Sequence, residues 1–394
     1  MLLESWILTA RSLAASDLHA EPGMPLTVRV RGQLRMVGAP LPAAVLSQAV
    51  RELLSDDDEA VFRERQSLDF SRTVGGVRCR LHVLRSARGV GLAVRLLTSF
   101  QASLRKLNLH PDLAKLVQHR HGLILLSGPT GSGKSSTLAA LIQEINTTEC
   151  RHIITVESPI EYAFASQKSL IRQREVGRDT PSFEQALLDA LRENPDVLMI
   201  GEMRDPETMR LVLNAAETGH LVLATVHSSS VGEALARMVS AFPADVQNGM
   251  AAQLADALVA VIGQRLSVRG PGERLVPELE ILLATTAARA TIRQGQFGKM
   301  QSVLESGGLD GCWTLARYRD WLDRRTDFYV PTDHETEPPA ELPPVPAGER
   351  APLPTRKPSQ QPEHGKVPRG EAGVLVLDDE DDPMAIVRAL ERRS

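Results

Sequence analysis

One nonapeptide constrains this chain more than any other stretch: Gly128-Pro129-Thr130-Gly131-Ser132-Gly133-Lys134-Ser135-Ser136. It fits a pattern of glycine, four residues, then Gly-Lys-Ser or Gly-Lys-Thr, which carries meaning only between a strand and a helix. Both flanks supply that context. Leu123–Leu126 is an apolar run of strand length, and Thr137–Ile145 sets apolar residues at helical spacing. Gly131 and Gly133 let the backbone curl so that successive N–H groups converge on phosphate oxygens. The helix N-terminus adds its positive partial charge. On this reading Lys134 neutralises the β and γ phosphates, and Ser135 sets its hydroxyl on Mg2+. The stretch predicts a nucleoside triphosphate site.

Composition narrows the rest. With 394 residues the chain can hold two or three domains, each with its own core. Its 45 basic and 49 acidic residues give a formal net charge of −4, so no global polycation recruits nucleic acid. Cys79, Cys150 and Cys312 lie far apart with no pair at metal-ligand spacing. That argues for a reducing compartment and against a zinc site or a disulfide framework. No apolar run approaches the ~18 residues of a membrane span. The opening Met1-Leu-Leu-Glu-Ser-Trp-Ile7 lacks the basic region of a signal peptide. A cytosolic protein is expected.

Residues 1–100 read as a small α+β domain. Leu2, Leu3, Trp6, Ile7, Ala10 and Leu13 share a helical face that suits core packing better than membrane binding. Leu26, Val28 and Val30 alternate with polar residues, Arg31-Gly32 marks a turn, and Leu34 and Met36 continue the pattern, which predicts a hairpin. A second strand pair puts Val77, Cys79, Leu81 and Val83, then Leu92, Val94 and Leu96, on one face, leaving Arg80 and Arg95 on the other. That face is either a solvated surface or a phosphate-facing arginine set, since guanidinium suits bidentate contact with phosphate.

Residues 101–330 alternate strands and helices in the manner of a parallel α/β sheet. Strands are expected at Gly122–Ser127, His152–Val156, Val197–Gly201 and Leu221–Val226, each a nearly continuous apolar run. Helices are expected at Ser182–Arg192, Pro206–Glu217, Val231–Val239 and Val246–Ile262, with Arg317–Arg325 closing the folded part. Residues 331–372 form a proline-rich stretch, with eleven prolines between 331 and 370, that reads as a disordered linker. Residues 373–394 combine an apolar run, an acidic turn and a basic amphipathic segment, and read either as disorder or as a tethered docking peptide.

Chemistry beyond the loop points to strand ends. Val197–Gly201 leads into Glu202, an acid placed to orient or deprotonate an attacking water where α/β folds bind ligands. The metal-binding aspartate usual in such a second nucleotide motif would stand at Gly201, so that role is unfilled. Thr155–Tyr162 ends another strand, and its Glu157 is a candidate for the metal or its water shell; Glu161 and Tyr162 are alternatives for capping the next element. His220 and His227 flank the strand Leu221–Val226, and their odd spacing puts them on opposite faces, so they do not form a simple metal pair. Each is either structural or able to reach a γ-phosphate.

Five blocks taken together resemble the secretion ATPase superfamily, and within it the type IV pilus retraction ATPases of the PilT/PilU branch. They are Ser16–His19 with Val28–Gly32, the phosphate loop, Thr155–Tyr162 as an "Asp box", Gly201–Thr208 as a Walker B block, and Thr218–Ser228 as a "His box". Gln173–Val176 and Ala190–Asp196 add to the likeness, which spans about residues 10 to 325. The resemblance implies an α/β architecture: an N-terminal PAS-like α+β domain followed by a RecA-like P-loop ATPase domain, arranged as a homohexamer. ATP and Mg2+ would lie between the two domains, with N-terminal arginines reaching the nucleotide. That makes Arg80 and Arg95 ATP-binding candidates, and Glu157, His220 and His227 catalytic candidates beside Glu202. Extension and secretion ATPases are longer and carry a four-cysteine zinc element, so the retraction branch fits better.

Three departures from that pattern stand out. Ser158 replaces the aspartate of the Asp box, Leu188 replaces an arginine and leaves Arg192 alone, and Ala287–Gln294 is a degraded form of the branch's C-terminal motif. They mark a divergent paralogue, weak in hydrolysis or working beside a second retraction ATPase. The implied activity is ATP-driven pilus retraction and twitching motility, acting on an inner-membrane platform protein from the cytoplasmic side. Alternatives are a low-turnover nucleotide-binding accessory subunit and a type II secretion or pilus extension ATPase. A DNA-handling motor is disfavoured by the mild acidity and the lack of an aromatic–basic stripe.

Overall fold

A computed structural model describes residues 2–30, 33–96, 102–269 and 274–329. The linker expected at 331–372, the docking segment at 373–394 and the Arg31-Gly32 turn lie outside the described residues.

The first part runs α1 (Leu2–Ser12), β1 (Asp17–Ala20), β2 (Pro25–Val30), β3 (Gln33–Pro40), α2 (Ala43–Arg51), α3 (Asp56–Arg65), β4 (Ser67–Val74), β5 (Val77–Ser86) and β6 (Gly89–Leu96). Its strands form one antiparallel sheet in the order β3-β2-β1-β6-β5-β4. Period-two alternation sets one face apolar: Leu18, Val28, Leu81, Val83, Leu92 and Val94 pack with Leu3, Ile7 and Ala10 of α1 and with Leu46 and Val50 of α2. Leu2 and Leu13, at the margin of the α1 stripe, stay exposed. The hairpin expected from residues 26–36 is β2–β3, with Val30 opposite Gln33. Ser55 starts α3 with a reciprocal capping box to Asp58.

The second part runs α4 (Leu113–Leu116), β7 (Gly122–Ser127), α5 (Lys134–Thr148), β8 (His152–Glu157), β9 (Leu170–Glu175), α6 (Phe183–Ala190), β10 (Val197–Ile200), α7 (Pro206–Glu217), β11 (Leu221–Val226), α8 (Val231–Ser240), α9 (Gln247–Ala257), β12 (Leu258–Arg269), β13 (Arg274–Leu283), α10 (Thr286–Arg293), α11 (Met300–Ser306) and α12 (Leu315–Asp323). The sheet order is β13-β12-β7-β11-β10-β8-β9, parallel except for the antiparallel edge pair β12–β13. Every residue of β7 and β11 is buried. Leu123 and Leu125 point into a core shared with α6–α11, whereas Ile124 and Leu126 point into one shared with α4, α5 and α12. That two-sided cover is why these strands read as unbroken apolar runs.

The expected helix Val246–Ile262 is corrected. α9 stops at Ala257, and Leu258 opens the twelve-residue strand β12. Ala260, Val261 and Ile262 pair with β7 on one side and β13 on the other; buried in succession, they show no alternation that would separate strand from helix. The helix expected at Ser182–Arg192 is shorter as well. Ser182 caps it by accepting from the Gln185 N–H, and its end tightens into a 3-10 turn over Leu191–Glu193.

Segment 102–117 is locked down by the C-terminal helix. Tyr318 of α12 is fully buried, and its hydroxyl accepts from the His110 N–H at 3.0 Å. Asn108 clasps Tyr329 through two main-chain bonds, Tyr329 N–H to Asn108 Oδ1 at 2.8 Å and Asn108 Nδ2 to the Tyr329 carbonyl at 3.4 Å. Tyr318→Phe leaves the buried His110 N–H without its acceptor and is expected to cost ~1–3 kcal/mol, read as a lowered thermal midpoint with nucleotide affinity unchanged.

Candidate active site

Strand β7 delivers its C-terminal end to the loop, and α5 begins at Lys134 directly after it. Gly131 and Gly133 hold φ of 80° and 85°, in the left-handed region that side chains avoid. Ser132 is buried, and its hydroxyl has no protein partner. Lys134 is also buried; its ammonium donates to the carbonyls of Gly128 at 2.7 Å and Pro129 at 3.0 Å. Burial lowers the Lys134 pKa, while the charges of Glu202 and Glu161 oppose that shift. Thr130 and Ser135 are exposed. Ser136 lies in the first turn of α5, its hydroxyl 2.6 Å from the Tyr162 hydroxyl.

A side chain that the sequence did not flag organises this loop. Gln264 of β12, almost fully buried, donates from Nε2 to the Ser132 carbonyl at 2.7 Å and accepts at Oε1 from the Thr137 hydroxyl at 2.8 Å. It lies two residues past the end of the expected helix Val246–Ile262, in a stretch to which the sequence assigned no element.

Two carboxylates share the C-terminal edge of the sheet. Glu202 follows β10, with one oxygen 3.1 Å from His227 Nε2 and the other 2.7 Å from an Arg204 guanidinium nitrogen. Burial raises its pKa, but Arg204, His227 and Lys134 outweigh that and hold it below the ordinary value. Burial, with Lys134, Arg237 and Arg204 nearby, lowers the His227 pKa against the pull of Glu202. A neutral ring donating Nε2–H to the carboxylate satisfies that geometry. Glu157, at the end of β8, is buried; it accepts from Thr155 Oγ1 at 2.7 Å and Gln173 Nε2 at 3.1 Å. Burial pushes its pKa up to about 7.

Gly201 lies between these two acids for steric reasons. A Cβ there would stand 3.3 Å from the Val156 carbonyl oxygen and 3.4 Å from the Glu157 Cα. A side chain at 201 is therefore tight: the end of the strand that carries Glu157 has to give by a few tenths of an ångström to admit one.

Other expected site residues lie elsewhere. His220 precedes β11 and His227 follows it, so six strand residues, ~20 Å, separate them. Nδ1 of His220 is 3.0 Å from the Ala215 carbonyl, at the N-terminal edge of the sheet and so at the end away from this chain's own phosphate loop. Arg192, in the turn before β10, stands at the same N-terminal edge with its side chain exposed and paired to Asp189 at 4.0 Å. Arg80 and Arg95 sit opposite each other on β5 and β6, bound to Asp69 and to Asp17 within their own sheet. In the Ala287–Gln294 block, Arg289 donates to the carbonyls of Ala255, Asp256 and Leu258 and so caps the end of α9.

Among the described residues, no group of three or more His, Cys, Asp or Glu could hold a metal by itself. A hard cation bound largely through phosphates needs only one or two protein oxygens. The exposed Ser135 hydroxyl, with Glu157 and Glu202 on the same edge, gives an all-oxygen donor set that fits Mg2+.

Loop, sheet edge and carboxylates together define a phosphate-loop nucleoside triphosphatase. The family model described as "Type II/IV secretion system protein" matches residues 1–289, and the chain belongs to that family. It is 40% identical over 303 residues to the "Type IV pilus retractation ATPase PilT" of Pseudomonas aeruginosa, covering 76% of this chain and 88% of that protein. The "Type IV pilus ATPase PilU" of the same organism is 36% identical over 304 residues, covering 76% and 79%. The crystal structure of the pilus retraction motor PilT with bound ADP superposes with a TM-score of 0.73 at 38% identity, covering 80% of this chain and 96% of that one. The chain is a nucleotide-binding ATP hydrolase of the PilT/PilU type.

The raised Glu157 pKa has a sign that can be measured. Because the fold lifts it from 4.5 to about 7, its contribution to folded stability is full below about pH 4.5 and is lost as pH rises through about 7. A carboxylate holds a cation only when ionised, so if Glu157 serves Mg2+ or its water shell, kcat/KM is expected to rise with pH through a limb near 7. Glu157→Gln should lack that limb.

Proposed function

We propose that this chain is the ATPase motor of type IV pilus retraction, with hydrolysis carried out at the C-terminal edge of the second sheet. The observation that carries the hydrolytic assignment is Glu202, held ionised between His227 and Arg204 beside the buried Lys134. In this reading the triphosphate lies in the cradle of residues 128–136, and Lys134 exchanges the Gly128 and Pro129 carbonyls for phosphate oxygens. Ser135 and Glu157 would hold Mg2+ or its water shell, Glu157 taking the part that Gly201 leaves unfilled. When bound, Mg2+ neutralises charge on the β and γ phosphates.

Glu202 then acts on the attacking water. A carboxylate kept below its ordinary pKa is a weak base, so its main work is to accept a hydrogen bond and aim the oxygen in line. His227 fixes the orientation of that carboxylate. His220 and Arg192 face the other way, so any part they take in turnover is taken across a subunit boundary, as a homohexameric ring would allow. Arg80 and Arg95 reach a nucleotide only by exchanging their aspartate partners for phosphate. We assign the first sheet as the PAS-like domain and the second as the RecA-like domain, with a boundary near residue 100.

Among the described residues no helix is long and apolar enough to cross a membrane. Contact with the membrane is therefore assigned to an inner-membrane platform protein, approached from the cytoplasmic side. The 40% identity over 303 residues to the retraction ATPase PilT supports retraction as the task.

Two variants test this reading. Lys134→Ala should abolish ATP binding and turnover. Glu202→Ala should lower kcat by about 10²- to 10⁴-fold, the usual contribution of a positioned acid or base, while still binding ATP. Hydrolysis at the parental rate in Glu202→Ala would sink the catalytic assignment. In cells, deleting the gene should leave surface pili accumulating without twitching; bald cells would point instead to extension or secretion.

A further inference from the structure

The two sheets meet at a buried polar junction that the phosphate chemistry does not use. Glu175, the last residue of β9, has a side chain only 3% exposed. One of its oxygens accepts from the Ser71 N–H of β4 at 3.3 Å. The other accepts from the Ile160 N–H at 3.3 Å and faces the Arg78 guanidinium of β5 at 3.5 Å. Ser71 also donates from its hydroxyl to the Ile160 carbonyl at 3.5 Å, and Arg178 donates to the Ser71 carbonyl at 3.3 Å. Strands β4 and β5 of the first sheet thus grip the loop that follows β8.

That loop leads directly to the nucleotide cradle. Ile160 is two residues before Tyr162, whose hydroxyl touches Ser136 in the first turn of α5. Gln173 donates from one amide nitrogen to both the Tyr162 carbonyl at 2.8 Å and Glu157 at 3.1 Å. Glu157 and Glu175 are register partners across β8 and β9. A continuous run of bonds therefore joins Arg78 to Ser136 and Glu157.

Stability does not account for this pair. A buried ion pair commonly recovers little more than its desolvation cost. Here the contact is long, and Arg78 Nε is buried with no acceptor. Such a contact is better suited to fixing orientation, because its two partners belong to different sheets and a shift of one sheet against the other changes it directly.

We propose that Arg78 and Glu175 are a positioning pair that couples the seating of the first sheet to the phosphate site, through Ile160, Tyr162 and Ser136. The proposal rests on the nucleotide site argued above. Lys134→Ala tests that site alone, so the two failures are told apart.

The experiment measures steady-state ATP hydrolysis by the full chain for Arg78→Gln, Glu175→Gln, Tyr162→Phe and their pairwise combinations. KM for ATP, oligomeric state and melting temperature are recorded in parallel. Arg78→Gln and Tyr162→Phe should each lower kcat by about tenfold, within the range of couplings between contacting groups. KM should move by less than about twofold, and Arg78→Gln should cost nothing further in the Tyr162→Phe background. Equal losses in both backgrounds overturn the route through Tyr162. Parental kcat in both Arg78→Gln and Glu175→Gln, with or without a lowered melting temperature, overturns the proposal. If the glutamine variants do not fold, Arg78→Lys decides: it keeps the charge and loses the planar fork, and should give an intermediate kcat. Parental turnover in that variant also overturns the proposal.

Discussion

Gln264 reaches the phosphate loop with both ends of its amide, one to the Ser132 carbonyl and one to the Thr137 hydroxyl. The loop's curl therefore depends on β12 as much as on its own glycines. Any residue larger than glycine at 128 would strike the Gln264 carbonyl oxygen, and a Cβ at 133 would press on the amide itself. A buried amide with its partners in place is rigid, and losing one partner leaves a costly orphan. Strand order follows the same need. β12 lies beside β7, so the strand that feeds the loop and the strand that braces it are neighbours.

The two glutamates at this edge are the same residue type in opposite surroundings. Glu157 is closed off from water among neutral donors, and its pKa rises toward neutrality. Glu202 sits among Arg204, His227 and Lys134, and its pKa falls. Environment alone separates a carboxyl that gains its charge near physiological pH from one that always carries it. Such a split suits a division of labour between holding a cation and aiming a water.

Much of the sheet was legible because the signals were local. β7, α7 and β11 keep the bounds read from the sequence, since continuous apolar runs and a Pro206 start after the capping Asp205 leave few alternatives. β12 was hidden because burial on both faces erased its alternation. Gln264, Gln173 and Arg204 act through partners distant in sequence or through turns, and no spacing rule marks them. The histidine pair shows the limit in another way. Opposite faces was the expectation from odd spacing, yet opposite ends of the strand is what decides their chemistry. Arg80 and Arg95 were correctly placed on one face, and the aspartates that hold them came only with the strand pairing.

Gly201 has a consequence for anyone repairing this motif by design. Restoring the missing aspartate would complete a consensus on paper while pressing a Cβ against Val156 and Glu157 of the strand beside it, which must give by a few tenths of an ångström. The acidic group that this edge offers beside Gly201 is Glu157, buried at the end of the neighbouring strand β8. Searches or redesigns that score each strand separately will count a defect where the sheet, taken as a whole, keeps its carboxylate.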